Sequence, residues 1–431
     1  MSIQHTAEKA KAASKLMAAV DTETKNEALR KIAEALEANK DEITAANKED
    51  LDRAENENLA RPLLKRLKFD SDKIAGVCRG LRSLAGLEDP VGKTLASTEL
   101  DIGLELYKTA CPLGVVGVIF ESRPDALVQI SSLCLKSGNG VLLKGGSEAA
   151  KTNRILADII SRVSEQSGLP AGWLGLLETR EDVSAMLGLE NSVDLIVPRG
   201  SNEFVQFIMN NTNIPVLGHA DGICHVYVDR QADLEMAARI AVDSKCQYPA
   251  VCNAMETLLV HEDIATQFLP LAKKGLDEYG CKLKGCEKTR EIISCEPANE
   301  QDWQTEYLDY ELSIRVVSRL EDAIDHINKY GSGHTDAIVS SDEPAARKFL
   351  SLVDSADVFW NASTRFSDGF RYGLGAEVGI STNKIHARGP VGLEGLLIYK
   401  WLLIGSGQTA GEYASGDKQF KHTPLGKNCP L

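Results

Sequence analysis

Apolar positions recur at helical spacing through residues 1 to about 95. In "NEALRKIAEALEANKDEI" Leu29, Ile32, Ala33 and Leu36 share one face and charges occupy the other, which predicts amphipathic helices. Near 98 to 110 the period changes to two: in "STELDIGLELYKTA" Leu100, Ile102, Leu104 and Leu106 alternate with mostly polar neighbours, so a strand or hairpin is expected. From Pro112 onward short apolar runs alternate with helices. "GVVGVIF" (114–120), "VLLK" (141–144) and "VDLIVP" (193–198) read as strands covered on both faces. Between them Ile155, Leu156, Ile159, Ile160 and Val163 form one helix face before Gly168 and Pro170. A second series runs through "CHVYVD" (224–229), "METLLVH" (255–261), "IRVVSRL" (314–320) and "TDAIVSS" (335–341). Strand and helix in alternation imply parallel sheets, and hence two α/β domains dividing near residue 222. The tail "GDKQFKHTPLGKNCPL" is polar and irregular enough to extend or fray.

Charge narrows the partners. Lys and Arg number 48 against 62 Asp and Glu, a net charge of -14, which repels nucleic acid phosphates and anionic membranes. No apolar run reaches the ~20 residues that span a bilayer, and the N-terminus lacks a signal peptide's continuous apolar stretch. The ten cysteines are scattered, with no C-x-x-C pair and no compact disulfide framework, which fits a reducing compartment. A soluble, cytoplasmic protein is expected.

In a doubly wound sheet, ligands bind beyond the carboxyl ends of the strands. Three loops stand there: "ESRPDAL" after 114–120, "KGGSEAA" after 141–143 and "RGSNEF" after 193–198. Each opens a helix whose unpaired N–H groups suit an anion, and Gly145, Gly146, Gly200 and Ser201 would let a phosphate approach. Lys144 and Arg199 add positive charge, although the G-x-G-x-x-G fingerprint is absent and ordinary strand-to-helix turns look the same. Three residues after Lys144 stands Ser147 rather than an acid, which suits NADP better than NAD; Glu148 next door pulls the other way.

Cys252, in "DSKCQYPAVCNAMETLLV", has Lys245, Gln247 and Asn253 close in sequence. A nucleophilic thiol needs such neighbours to lower its pKa, yet a Cys next to Val251 and Ala254 is more often a small buried hydrophobe, and on the residues alone that reading prevails. Cys281, Cys286 and Cys295 are irregularly spaced with no histidine pair, so no zinc or other metal site is expected. His334 and His386 sit near glycines and read as turn or hydrogen-bonding residues rather than bases. No G-x-S-x-G elbow and no G-x-x-x-x-G-K-[ST] loop is present, which removes the usual marks of hydrolases and kinases.

The order of segments is more specific than any one of them. "CPLGVVGVIFESRPDALVQISSLCLKSGNGVLLKGGSEA", "VDLIVPRGSNEF", "GHADGICHVYVD", "KCQYPAVCNAMETLLV", "TEYLDYELSIRVV", "YGSGHTDAIVS" and "NASTRFSDGFRYGLGAEVGISTNKIHARGPVGLEGL" together resemble the gamma-glutamyl phosphate reductase family of the aldehyde dehydrogenase superfamily, over essentially the whole chain. The resemblance implies an α/β, aldehyde dehydrogenase-like fold with two parallel-sheet domains and a small β oligomerisation element. The domains would be an NADP-binding domain over 1–222 with the strand region 96–115 inserted, a catalytic domain over 223–395, and an oligomerisation strand and tail over 396–431. It implies NADPH-dependent reduction of L-glutamyl 5-phosphate to L-glutamate 5-semialdehyde with release of phosphate, the second step of proline biosynthesis. A homo-oligomer, dimer or tetramer, follows from it, and a glutamate kinase is a candidate partner.

Carried onto this chain, the resemblance makes Cys252 the nucleophile, with Asn253 and Ser122 beside it in catalysis, Ser122 standing where oxidising relatives have an oxyanion-hole asparagine. Lys144, Gly145, Gly146, Ser147, Gly200, Ser201 and Glu306 would bind NADP(H). Arg123, Asn361, Ser363, Thr364 and Arg365 would bind substrate, with Arg388 a further cation that is equally a structural ion pair. The glutamate with which oxidising relatives activate water is replaced by His219, and a reductase of an acyl phosphate has no use for that water. Cys246 is a packing residue or an oxidation partner. A coenzyme A-acylating aldehyde dehydrogenase and a scaffold without turnover are the rival readings.

Overall fold

A computed structural model describes residues 2–179, 181–218 and 221–430. Helices Ile3–Met17, Thr22–Ala38, Lys40–Asn56, Arg61–Leu67 and Ser71–Ala85 open the chain. The Ser2, Asp21 and Asp70 side chains accept from His5, Thr24 and Lys73 N–H and so satisfy donors that a helix start leaves open. Leu29, Ile32, Ala33 and Leu36 are fully buried, as their spacing predicts. They join one core with Val116, Val118 and Leu143 of the first sheet, where each large aliphatic side chain contributes about 1.5–3 kcal/mol.

The period-two segment is a hairpin, β1 (Thr94–Asp101) antiparallel to β2 (Leu104–Pro112). The first parallel sheet contains β3 (Val115–Phe120), β4 (Gly140–Lys144), β5 (Leu174–Leu177) and β6 (Leu195–Arg199) in the order β5-β4-β3-β6. The second contains β7 (Cys224–Val228), β8 (Met255–His261), β9 (Lys282–Gly285), β10 (Glu296–Pro297), β11 (Glu311–Val317), β12 (Thr335–Val339) and β13 (Asp357–Trp360), in the order β10-β9-β11-β8-β7-β12-β13. The strands foreseen in the sequence are all here. β5, β9, β10 and β13 are not foreseen, because two to four residues are too few to show a period.

Two expectations change. β14 (Gly379–Ser381) and β15 (Gly389–Val391) pair with each other, and Val378, Val391, Leu393 and Leu396 enter the first core. Apolar burial therefore returns the chain to the first unit well before residue 395. The tail does not fray: β17 (Thr423–Pro424) pairs with β1, Tyr413 stacks on Phe420 with centroids 4.4 Å apart, and Cys429 N–H donates to Thr94 Oγ1 at 2.8 Å. β16 (Leu397–Ile404) lies antiparallel to β2 from Leu397 opposite Pro112 to Ile404 opposite Glu105, so the two strand regions expected to form one element do share a sheet. Ile398, Tyr399, Trp401 and Leu403 remain exposed on β16.

Candidate active site

Cys252 stands in a turn between helix Leu234–Cys246 and β8. Lys245 at the helix end and Glu256 on β8 form an ion pair of 2.6 Å with neither side chain exposed, which ties together the two ends of the loop. Lys245 is thus committed to Glu256 and is not the cation that the sequence offered to the thiol. Gly222 presses on the turn from outside: a Cβ there would lie 2.2 Å from the Cys252 carbonyl oxygen and 2.6 Å from its Cβ. Asn253, expected in catalysis, is buried and its Nδ2 donates to the Ser367 carbonyl at 2.6 Å. It fastens the turn to the loop beyond β13.

Cys252 is half-buried. Burial foremost, and the Glu306 carboxylate next, push the thiol up to about 12, against the opposing charge of Arg199 and a hydrogen bond from the Cys252 amide N–H. The lowered pKa that a nucleophile would be expected to show is absent, and holding a bare thiolate at pH 7 would cost about 7 kcal/mol. A base supplies the way out. His334 Nε2 lies 3.2 Å from Cys252 Sγ, and its Nδ1 is 2.7 Å from Thr335 Oγ1. With the Nδ1 proton donated to Thr335, Nε2 accepts the thiol proton. His334 is buried in the loop entering β12; the sequence, which shows only a glycine beside it, reads it as a turn or hydrogen-bonding residue and not as a base.

Three cavities are lined by residues at the carboxyl ends of the first sheet's strands. One of about 460 Å³ is lined by Lys144, Gly146, Ser147 and Glu148 at the carboxyl end of β4. It shares Leu63 and Glu121 with one of about 740 Å³ lined by Gly200, Ser201, Asn202 and Glu306. That cavity shares Arg123 and Arg199 with a third, of about 260 Å³, lined also by Asp368, Phe370 and Glu377. A Cβ on Gly145 would meet Asn153 Nδ2 at 2.2 Å and one on Gly200 would meet Phe204 at 2.8 Å, so the close backbone turns require glycine. Ser201 caps helix Asn202–Asn210, and Asn202 Nδ2 donates to Glu306 Oε2 at 2.7 Å. Asn202, unmarked in the sequence, therefore orients Glu306, the acid expected to bind NADP(H), whose own pKa burial raises.

Several expected residues do other work. Ser122 gives both its amide N–H (2.6 Å) and its hydroxyl (2.8 Å) to Glu148 Oε1 on the wall of the first cavity. The hydroxyl expected in the oxyanion hole is spent there, leaving the Cys252 N–H as the donor at the sulfur. Asn361 accepts from Ser340 N–H and donates to the Ser340 carbonyl, and Ser363 Oγ accepts from Arg365 N–H; both shape the loop instead of facing a ligand. Thr364 is buried, its hydroxyl without a partner among the described residues. Arg365 is buried, its Nε donates to Gln247 Oε1 at 2.9 Å, and its charge acts on Cys252. Arg123 donates to Asp125 at 3.3 Å. Arg388 is the structural ion pair, 3.0 Å from Asp354. Cys246 is buried in the second core together with Cys281. His219 lies outside the described residues. Among the described residues no three His, Cys, Asp or Glu side chains gather as a metal site, and no helix is long and apolar enough to cross a membrane.

Comparison with known proteins places this geometry. The profile of the Aldehyde dehydrogenase family matches residues 1–283. The chain is 63% identical over 431 residues, all of both chains, to the gamma-glutamyl phosphate reductase of Acetivibrio thermocellus. It is 54% identical over 420 residues, 97% of each, to that of a Cyanothece species. A crystal structure of the Thermotoga maritima gamma-glutamyl phosphate reductase superposes with a TM-score of 0.92 at 39% identity, covering 94% of this chain and 99% of that one. An engineered glycolyl-CoA reductase with bound NADP+ shares the fold at a TM-score of 0.62 and 16% identity, covering 93% of this chain and 96% of that one. The chain belongs to the aldehyde dehydrogenase family, in its gamma-glutamyl phosphate reductase branch.

Proposed function

We propose that the chain reduces L-glutamyl 5-phosphate to L-glutamate 5-semialdehyde with NADPH, releasing phosphate through a thioester on Cys252, the second step of proline biosynthesis from glutamate. The observation that carries the chemistry is the 3.2 Å contact between His334 Nε2 and Cys252 Sγ beside the charges of Arg199 and Arg365; full-length identity of 63% to a gamma-glutamyl phosphate reductase carries the substrate.

His334 takes the thiol proton as the sulfur attacks the γ-carbonyl carbon. The S–C bond forms, the C–O bond to phosphate breaks, and the electron pair leaves on the phosphate. The Cys252 amide N–H, which hydrogen-bonds the sulfur, would stabilise the oxygen of the tetrahedral intermediate, a contribution of roughly 10²- to 10³-fold. Lys144, Ser147, Ser201 and Glu306 line the cavities that would hold the dinucleotide, which supplies the hydride when bound. Cys252 then departs from the acyl carbon, and His334 returns its proton. Arg365, buried beside the nucleophile turn, is the cation for the substrate's carboxylate. The exposed apolar strip on β16 fits an interface between copies of the chain in a dimer or tetramer.

The test runs the reaction backwards, following NADPH formation from glutamate semialdehyde and NADP with phosphate, then with coenzyme A. Phosphate dependence that vanishes in Cys252→Ser supports the scheme. Activity surviving that substitution, or dependence on coenzyme A instead, overturns it.

A further inference from the structure

We propose that the Arg199 guanidinium is the receptor for the phosphoryl group of the acyl phosphate, and for inorganic phosphate in the reverse direction. Arg199 ends β6 opposite Phe120 and lines both the 740 Å³ and the 260 Å³ cavities, where the dinucleotide side meets the substrate side. Arg123, which shares that position, is occupied by Asp125. Arg199 is not: among the described residues no carboxylate, carbonyl or amide takes a hydrogen bond or ion pair from its guanidinium. Glu377, an acid that acts on it, has its Oε2 taken by the Gly369 N–H at 2.8 Å. The backbone makes room for the group. A Cβ on Gly379 of β14 would lie 2.9 Å from Arg199 Nη1, so glycine at that position lets the guanidinium lie against the strand.

Enclosing a permanent cation without an acceptor is costly, and the cost is recovered when an anion arrives. The ligand's geometry follows from the donor. A guanidinium presents two parallel N–H groups, which match two oxygens of a phosphoryl group in one plane. Its location follows from the sulfur. The Arg199 charge acts at Cys252, so a phosphoryl group held there would lie within electrostatic reach of the thiol that displaces it. As the C–O bond breaks, negative charge grows on the departing phosphate oxygens, and the fork's attraction grows with it. The same contact selects substrates: a coenzyme A thioester offers no phosphoryl group at the scissile bond, so the guanidinium would remain unpaired.

This inference rests on the acyl phosphate reading above, and one experiment separates the two. Reverse turnover of the full chain is measured with glutamate semialdehyde, NADP and varied inorganic phosphate, together with the protection that phosphate gives Cys252 against iodoacetamide. In Arg199→Gln the KM for phosphate should rise roughly 10- to 100-fold, the loss of a charged hydrogen-bonding partner, while the KM for semialdehyde stays within about twofold. Arg199→Lys, which keeps the charge and loses the fork, should fall between. If Arg199→Gln does not turn over, protection decides: phosphate should shield the thiol in the wild type and not in the variant. An unchanged phosphate KM, or unchanged protection in a variant that melts like the wild type, overturns the assignment of Arg199 alone. A wild type indifferent to phosphate overturns the acyl phosphate reading and this inference with it.

Discussion

Replacing His334 with glutamine removes the acceptor at Nε2 while keeping an amide of similar reach for Thr335. With the Cys252 thiol pushed up to about 12, only about one sulfur in 10⁵ is ionised at pH 7 in the absence of a base. General base catalysis contributes roughly 10²- to 10⁴-fold, so kcat/KM of His334→Gln at pH 7 should drop by that factor, in kcat more than in KM, because the proton moves only in the transition state. The pH profile carries the finer test. Without its base the variant depends on spontaneous ionisation, and its rate should climb about tenfold per pH unit between pH 7 and 9. The wild type should be flatter. NADPH absorbance gives the turnover, and intact-mass kinetics of Cys252 alkylation give the same information without substrate. A variant within about threefold of the wild type, with the same pH profile, would reduce the 3.2 Å contact to packing and refute the base assignment.

Lys245→Met leaves Glu256 buried without its partner and should destabilise the fold by about 3–5 kcal/mol, seen as a lower urea midpoint, while Lys245→Met with Glu256→Leu should recover most of the loss; equal stability of single and double variants would contradict the clamp. Trp401→Asp puts a charge on the apolar strip of β16 and should reduce the particle mass by light scattering, whereas an unchanged mass would remove that strip as the interface. The raised Cys252 thiol keeps its proton in the folded state where the unfolded chain loses it, at the ordinary value of 9.0. Folding stability should therefore fall as pH rises from 9 toward 12, and Cys252→Ala should fall less; identical slopes in denaturant titrations at pH 8 and 10 would oppose the shift.

Much of the fold is legible because burial leaves a periodic trace. Leu29, Ile32, Ala33 and Leu36 are fully buried on one helix face, and the runs at 114–120 and 255–261 are strands buried along their whole length. The misses have physical causes. Asn361 and Ser363 occupy the expected loop, yet sequence does not tell a polar side chain facing a ligand from one bonded to its own backbone. Asn361 holds φ at +55° by tying its amide to Ser340, and Ser122, at φ +44°, is similarly tied to Glu148. The tail is polar, but its order comes from pairing with β1 more than 300 residues away, a contact that leaves no local periodicity.

Cys252 shows in the sequence only through family likeness, and of its two functional neighbours Arg199 shows only as positive charge beside an anion-suited turn and His334 only as a turn or hydrogen-bonding residue. His334 enters β12 and Arg199 ends β6, so each is placed by a strand whose sequence reports burial and nothing about what stands at its end. Their chemistry arises from convergence. A thiol with its proton held tightly, an imidazole 3.2 Å away and an unpaired guanidinium are each unremarkable alone. Together they divide the work: His334 controls the proton and Arg199 the leaving group, so the sulfur need not be a standing thiolate. A thiol that stays protonated until an acyl phosphate is in place resists adventitious oxidation and alkylation, since the thiolate is the reactive form. In a chain of net charge -14, Arg123 and Arg199, shared by the two adjoining cavities, would give an anionic substrate its local attraction. The global charge then limits nonspecific anions without barring the specific one.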